Sequence, residues 1–254
     1  MILAVDVGNT QTVLGLIEDR DIRAHWRVAT DVTLTADELR VKIGGLLALE
    51  GLGWNSVGRI VLSSVVPALT ASYEEMAERA TGSAPMVVGP GIKTGMPIRY
   101  DDPREVGADR IVNGVAALDA FGAPVIVIDF GTATTLDVID AEGSYLGGAI
   151  APGVETSAEA LFSAAARLAK VDLEPPTRVI GRTTRESVQA GLLLGEAAMV
   201  DGLVRRAWQE IGGECTVVAT GGLAERMAPL CETIGHVDRD LTLKGLMLIA
   251  ERNA

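Results

Sequence analysis

The chain repeats itself halfway along, and that repeat limits the folds open to it. Val5-Asp6-Val7-Gly8-Asn9-Thr10-Gln11-Thr12-Val13 lies over Ile128-Asp129-Phe130-Gly131-Thr132-Ala133-Thr134-Thr135-Leu136, with Asp129 standing 123 residues after Asp6 in a chain of 254. The Asp, the Gly and the last Thr are identical, and the apolar positions around them match. Self-similarity at this distance points to a duplicated domain, not a short-period solenoid. Each half is long enough for a core of its own.

Both copies read alike. An apolar run (Ile2–Val5; Val125–Ile128) meets the Asp, a small-residue turn follows, and a second extended run begins (Thr12–Ile17; Thr135–Ile139). An acidic turn then leads to a third run (Ile22–Val28; Tyr145–Ala151), which predicts a three-stranded antiparallel meander in each half. Helix and strand alternate afterwards. Thr35 with Glu38 is a capping-box signature for a helix over Ala36–Leu49, Ile60–Ser63 reads as a strand, and Pro67 opens a helix over Ala68–Ala80. Met86–Val88 is a short strand, and Gly91–Asp109 reads as the crossover. In the second half, helices are expected over Gly153–Ala169, Thr184–Ile211, Gly222–Glu232 and Leu241–Arg252, and a strand over Thr216–Ala219. The expected architecture is α/β: two duplicated lobes, residues 1–120 and 121–254, each a mixed sheet with helices, facing each other across a cleft.

Composition narrows the function. With 4% aromatic residues, the core has to be built from Ala, Val, Leu and Ile. The formal charge is −12, and only Lys42, Lys93, Lys170 and Lys244 are lysines. Nucleic-acid affinity needs clustered Lys and Arg, so no nucleic-acid partner is expected. No uninterrupted apolar run reaches the roughly 18–20 residues of a membrane span, and Met1–Asp6 does not read as a signal peptide. Cys215 and Cys231 read as reduced structural thiols, so the expected location is the cytoplasm, with no membrane association. His25 and His236 fall in none of these motifs, and structural or solvated roles are expected for them.

A strand ending in Asp-x-Gly-[Asn/Thr]-x-x-Thr suits phosphate chemistry. Gly8 and Gly131 allow a sharp turn that brings backbone N–H groups to an anion. Asn9, Thr10, Thr12, Thr132, Thr134 and Thr135 add compact neutral donors, and Asp6 and Asp129 can hold a hydrated cation. Two such turns on opposing walls would grip a polyphosphate. Competing phosphate motifs fail: Gly89-Pro-Gly-Ile-Lys93-Thr94 has Ile92 where a P-loop needs its second Gly, and no Gly-x-Gly-x-x-Gly follows the first strand. Val217-Val218-Ala219-Thr220-Gly221-Gly222 is a strand ending in a Gly pair, over which a flat ring such as adenine can pass close to the backbone.

The two Asp turns and the Gly pair resemble the nucleotide site of the acetate kinase, sugar kinase, Hsc70 and actin superfamily, whose lobes are actin-like (ribonuclease H-like). Within it the chain resembles the type III pantothenate kinases over nearly its full length. Gly107-Ala108-Asp109-Arg110 matches their Gly-x-Asp-Arg motif, and Gly181-Arg182-Thr183-Thr184 and Leu241-Thr242-Leu243-Lys244-Gly245-Leu246 resemble further segments. The resemblance implies transfer of the ATP γ-phosphoryl group to the primary hydroxyl of pantothenate, the first step towards coenzyme A. It implies Asp109 as the base, with Asp6, Val7, Gly8, Asn9, Thr10, Gln11, Thr12, Val13, Thr132, Gly221 and Gly222 on ATP, and Asp6 on the associated Mg²⁺. It further implies Asp129 at a monovalent cation, K⁺ or NH₄⁺, and Tyr100, Gly107, Ala108, Asp109, Arg110 and Thr184 on pantothenate. A homodimer is implied too, and the long apolar stretch Thr184–Ile211 has more apolar faces than one lobe needs to bury. The rival readings are a kinase for another small acceptor and a non-enzymatic regulatory ATP-binding protein.

Overall fold

The computed structural model describes residues 1–165 and 168–254. The chain divides into two compact units, Met1–Ala116 with Leu241–Ala254, and Ala117–Asp240.

In the first unit, β1 (Ile2–Val7), β2 (Gln11–Glu18) and β3 (Asp21–Ala29) form the antiparallel meander. Helix α1 (Ala36–Leu49), strand β4 (Arg59–Ser64), helix α2 (Pro67–Thr81) and the short strand β5 (Met86–Val87) follow. The sheet order is β3-β2-β1-β4-β5, with β4 and β5 joining in parallel. Thr35 caps α1 through the expected box: its side chain accepts from the Glu38 N–H while the Glu38 carboxylate accepts from the Thr35 N–H. Leu3, Val5, Leu14 and Leu16 of the sheet pack against Leu39, Ile43 and Leu47 of α1 and Leu69 and Met76 of α2. Each side chain of that size withdrawn from water contributes about 1.5–3 kcal/mol.

Helix α3 (Ala108–Phe121) opens inside the expected crossover and runs into the second unit. There β6 (Val125–Phe130), β7 (Ala133–Ile139) and β8 (Tyr145–Pro152) repeat the meander, and α4 (Val154–Ala164) follows. The long helix comes next as α5 (Thr184–Gln189), a π segment Ala190–Leu194, and α6 (Gly195–Ile211). Strand β9 (Thr216–Thr220), helix α7 (Ala224–Met227) and strand β10 (His236–Val237) complete the unit. Its sheet order, β10-β9-β6-β7-β8, is the first unit's order read from the other edge, so the duplication seen in the sequence is a duplication of topology.

Several expectations shift. The helix expected over Gly153–Ala169 ends at Ala164; residues 166 and 167 lie outside the described residues, and 168–169 are not helical. The helix expected over Gly222–Glu232 is cut to α7 plus a 3₁₀ turn, Ala228–Leu230, because Pro229 removes a backbone donor and crowds the preceding turn. The strand β10 falls in a segment to which the sequence reading assigned no element.

The closing helix α8 (Leu241–Arg252), grouped with residues 121–254 in the sequence reading, packs on β1, β2 and β4 of the first unit. Gly15 of β2 makes room for it, since a Cβ there would lie 2.7 Å from Leu243 Cδ1. Gly245 lets α8 cross α3, where a Cβ would lie 2.1 Å from the Val112 carbonyl oxygen. Asn253 and Arg252 bond the backbone of Lys93 and Thr94, so the segment that faintly resembles a P-loop is stitched to the end of α8.

By length and composition Thr184–Ile211 would pass as a membrane span, unlike the uninterrupted runs weighed above, yet half of its most apolar stretch is buried in the protein. Leu193, Ala197, Val200 and Val204 belong to the unit's core, and Val188 and Ala190 are buried as well. Cys215 and Cys231 are both free thiols, and burial, with Asp201 and Glu196 nearby, pushes the Cys231 pKa up to about 12. The His236 ring lies against Phe121, centroids 4.9 Å apart and tilted by 36°.

Candidate active site

Asp6 and Asp129 occupy equivalent places. Each is the half-buried penultimate residue of a strand whose neighbours are buried, as apolar strands fully covered on both faces require. Each sits beside a hydroxyl on the parallel strand: Asp6 is paired with Ser63 on β4, and Asp129 with Thr220 on β9. Ser63 is fully buried and its Oγ has no hydrogen-bond partner among the described residues. Neither hydroxyl was singled out in the sequence, because parallel pairing joins residues far apart in the chain and leaves no local pattern.

The first turn, Gly8 to Gln11, closes with the Gly8 N–H donating to the Gln11 carbonyl at 3.1 Å. The second, Gly131 to Ala133, closes with Gly131 donating to Ala133 at the same distance, one residue sooner. Strand pairing therefore places Thr134, not Thr135, in the position of Thr12: Val7 faces Thr12 and Phe130 faces Thr134. Neither Gly8 nor Gly131 uses a positive φ. Space is what Gly8 supplies, since a Cβ there would lie 2.9 Å from the Gln11 oxygen, whereas at Gly131 the nearest atom would be an ordinary 3.5 Å away.

Asn9, Thr10, Gln11 and Thr132 are exposed, Val13 is half-buried, and Thr12 is buried at 1% exposure, so its hydroxyl faces the protein and bonds Thr30 Oγ1 at 2.9 Å. Gly221 lies against Asp129. At φ +95° it takes a conformation other residues rarely adopt, and a Cβ would lie 2.3 Å from Asp129 Oδ1 and 2.6 Å from the Phe130 carbonyl. The Gly pair read from the sequence thus opens a small oxygen-lined cradle beside the second Asp. Gly222 is exposed next to it.

Asp109 sits in the first turn of α3. Its Oδ1 accepts from the Arg110 N–H at 2.8 Å, and Gly107 is needed because a Cβ there would lie 2.5 Å from that oxygen. Val65 touches the place of that missing Cβ at 3.8 Å and donates its N–H to the Val7 carbonyl at 3.0 Å, which links the Asp109 turn to the strand end carrying Asp6. Burial pushes the Asp109 pKa up; the backbone bond and the Arg110 charge only partly offset this. Arg110 is buried, and Thr242 of α8 bonds Asn113 at 2.7 Å, bracing α3 from behind. Nearby Asp102 is held by Arg104 through its backbone N–H and through Nε and Nη2 of its guanidinium. Tyr100 is half-buried; Thr184 is exposed at the start of α5. The Gly181–Thr184 segment is itself a helix cap: Thr183 accepts from the Glu186 N–H, and Glu186 accepts from the Arg182 N–H at 2.7 Å.

The oxygen-only donor set at the two strand ends suits hard cations that keep their waters. The groups at hand are the Asp6 carboxylate beside Ser63 on the next strand, and the Asp129 carboxylate with the Phe130 carbonyl beside Gly221. Duplicated five-stranded lobes of this kind, each a three-stranded meander extended by parallel strands, make the actin-like α/β fold. The ROK hexokinase of Thermus thermophilus shares it, with TM-score 0.52 at 12% identity over 98% of this chain and 97% of that one. A Campylobacter jejuni protein assigned to the Baf transcriptional-activator family does so more closely, with TM-score 0.65 at 17% identity over 99% and 98%. At those identities the likeness is one of fold.

Sequence goes further. The family model of type III pantothenate kinase matches residues 2–206. The type III pantothenate kinase of Moorella thermoacetica is 50% identical over 253 residues, covering all of both chains. The chain belongs to the type III pantothenate kinase family.

Proposed function

We propose that this chain transfers the γ-phosphoryl group of ATP to the primary hydroxyl of pantothenate, forming 4'-phosphopantothenate and ADP at the entry to coenzyme A synthesis. The observation that carries this is family membership over the whole length, together with an Asp-Arg turn that sets a half-buried carboxylate at a helix start. Phosphoryl transfer runs through a loose transition state, so the protein's work is alignment and charge stabilisation. Asp109 accepts the hydroxyl proton as the oxygen–phosphorus bond forms and ADP leaves. Tyr100, Gly107, Ala108, Arg110 and Thr184 bind pantothenate.

Asp6 through Val13, Thr132, Gly221 and Gly222 bind ATP, the Gly pair beside the adenine and the turns on the phosphates. Asp6 holds the Mg²⁺ that accompanies ATP, and Asp129 a monovalent cation, K⁺ or NH₄⁺. Such ions neutralise charge on the phosphates when bound. The active form is a cytoplasmic homodimer. Support for the dimer lies on α5 to α6, where Gly191, Gly195 and Ala198 leave an exposed small-residue face. A coupled assay with ATP, Mg²⁺, K⁺ and pantothenate, each omitted in turn, tests the reading. Turnover that ignores pantothenate rejects it in favour of another acceptor, and no turnover at all favours a regulatory ATP-binding protein. Light scattering that finds a monomer removes the dimer.

A further inference from the structure

The first turn is held by a residue outside every motif in the sequence. Thr30, which follows β3, grips it twice: its N–H donates to the Thr10 carbonyl at 2.9 Å, and its Oγ1 donates to the Gly8 carbonyl at 2.8 Å. The Gln11 carbonyl is taken by the Gly8 N–H. Three of the four carbonyls from Gly8 to Gln11 are thereby committed within the protein. At an anion site this matters, because a carbonyl oxygen turned towards a phosphate repels it and an amide N–H attracts it.

Counting hydroxyl protons fixes the direction of the bonds. Thr30 has one hydroxyl proton, and the Gly8 carbonyl can only accept it. The 2.9 Å contact between Thr12 Oγ1 and Thr30 Oγ1 therefore uses the Thr12 proton. The relay runs from Thr12 to Thr30 to the Gly8 carbonyl. Thr12 is 1% exposed, so water does not replace a missing link, and each loss strands the next group.

We infer that Thr30 is a positioning residue for phosphate binding: with Thr12 behind it, it holds the Gly8–Gln11 turn with three of its four carbonyls turned away from the anion. The inference rests on the reading of this turn as the ATP-phosphate loop. It also changes the part played by Thr12, whose hydroxyl is spent inside the relay and which serves ATP by shaping the turn.

Three variants test it: Thr30→Val keeps the backbone bond and removes the hydroxyl, Thr30→Ser restores the hydroxyl, and Thr12→Val removes the hydroxyl that donates to Thr30. For each, kcat and KM for ATP and for pantothenate are measured, with Tm and with amide hydrogen exchange over residues 8–11 in nucleotide-free protein. Thr30→Val should raise KM for ATP about tenfold, the effect of stranding one buried hydrogen-bonding group. KM for pantothenate should stay within about twofold, and exchange in the turn should quicken. Thr12→Val should give about a threefold rise in KM for ATP, and Thr30→Ser should behave as wild type. A purely structural role would instead lower Tm and leave KM for ATP unchanged, which overturns the proposal. If wild-type protein shows no ATP-dependent turnover, the functional reading fails, and exchange still decides the relay: an unchanged rate in Thr30→Val and Thr12→Val sinks it. Should Thr30→Val not fold, a wild-type KM for ATP in Thr12→Val overturns the inference.

Discussion

The two Asp turns share a backbone clasp and differ in the side chains that complete it. In each, the residue after the third strand donates its N–H to a turn carbonyl: Thr30 to Thr10, and Gly153 to Thr132 at 3.0 Å. In the first turn that same residue adds a hydroxyl bond. In the second it has to be glycine, since a Cβ would lie 2.3 Å from the Gly131 carbonyl oxygen, and the hydroxyl comes from Thr156 of α4, donating to Thr132 at 2.7 Å. The equivalent buried threonines diverge as well. Thr12 feeds the relay, whereas Thr134 lies beside the carboxyl of Glu196, whose pKa burial pushes up and the Thr134 hydroxyl partly pulls back. Duplication kept the backbone hydrogen bonds, which any residue can make, and left the side-chain chemistry free to specialise.

The largest effect should come from a residue outside both turns. Asp109→Asn is expected to lower kcat by about 10²–10⁴-fold with KM for ATP nearly unchanged. Because burial raises the Asp109 pKa, wild-type kcat should climb with pH through a midpoint above the usual carboxylate range, and the variant should lose that limb. The folded state also holds this proton more tightly than the unfolded chain. The stability it contributes is therefore present at low pH and lost as pH rises through the folded pKa, so Asn should leave Tm unchanged or higher at neutral pH. Near-normal turnover would show that the turns, not this carboxylate, set the rate.

Next in size, Gly153→Ala should destabilise by about 3 kcal/mol, because its Cβ meets backbone. Thr30→Ala, which loses a hydroxyl from the matching position, should cost about 1 kcal/mol. Denaturant melts giving equal losses would break the contrast between the two clasps. Asp129→Asn should raise the K⁺ concentration for half-activation by roughly 10–100-fold, the scale on which metal sites lose affinity when a supporting ligand goes. Asp6→Asn should act on Mg²⁺ dependence instead; a K⁺ response untouched in Asp129→Asn would reassign that carboxylate. The smallest contrast is between the turn glycines. Gly8→Ala, with a 2.9 Å approach, should cost about 1–2 kcal/mol, and Gly131→Ala, at 3.5 Å, about 0.5 or less. Matching thermal shifts would mean the turns are equally tight.

Much of the fold was legible in the letters. The meanders follow from period-two apolar runs, α1 from the Thr35–Glu38 box, and α2 from Pro67. What escaped was α3, since the Gly107–Arg110 motif sits at its start and the reading ended the crossover there. The short β10 escaped as well, because two residues carry no period. The one-residue difference between the turns was also hidden: laid over each other without a gap, the letters match Thr12 with Thr135, while the strand register matches it with Thr134. Of the site, the two acids, the Gly pair and the Asp-Arg turn were visible as motifs. Ser63, Thr30 and Thr156 were not.

By itself the sequence determined the duplication, the strand and helix types, and the acids at the strand ends, because each depends on residues within a few positions of one another. Only the tertiary structure decided that α8 returns to the first unit, that Gly245 meets Val112, that Ser63 lies beside Asp6, and that Thr12 reaches a turn carbonyl through Thr30. Those pairings join residues far apart in the chain, and they form because burying one apolar face against another brings the polar groups at its edge within bonding distance.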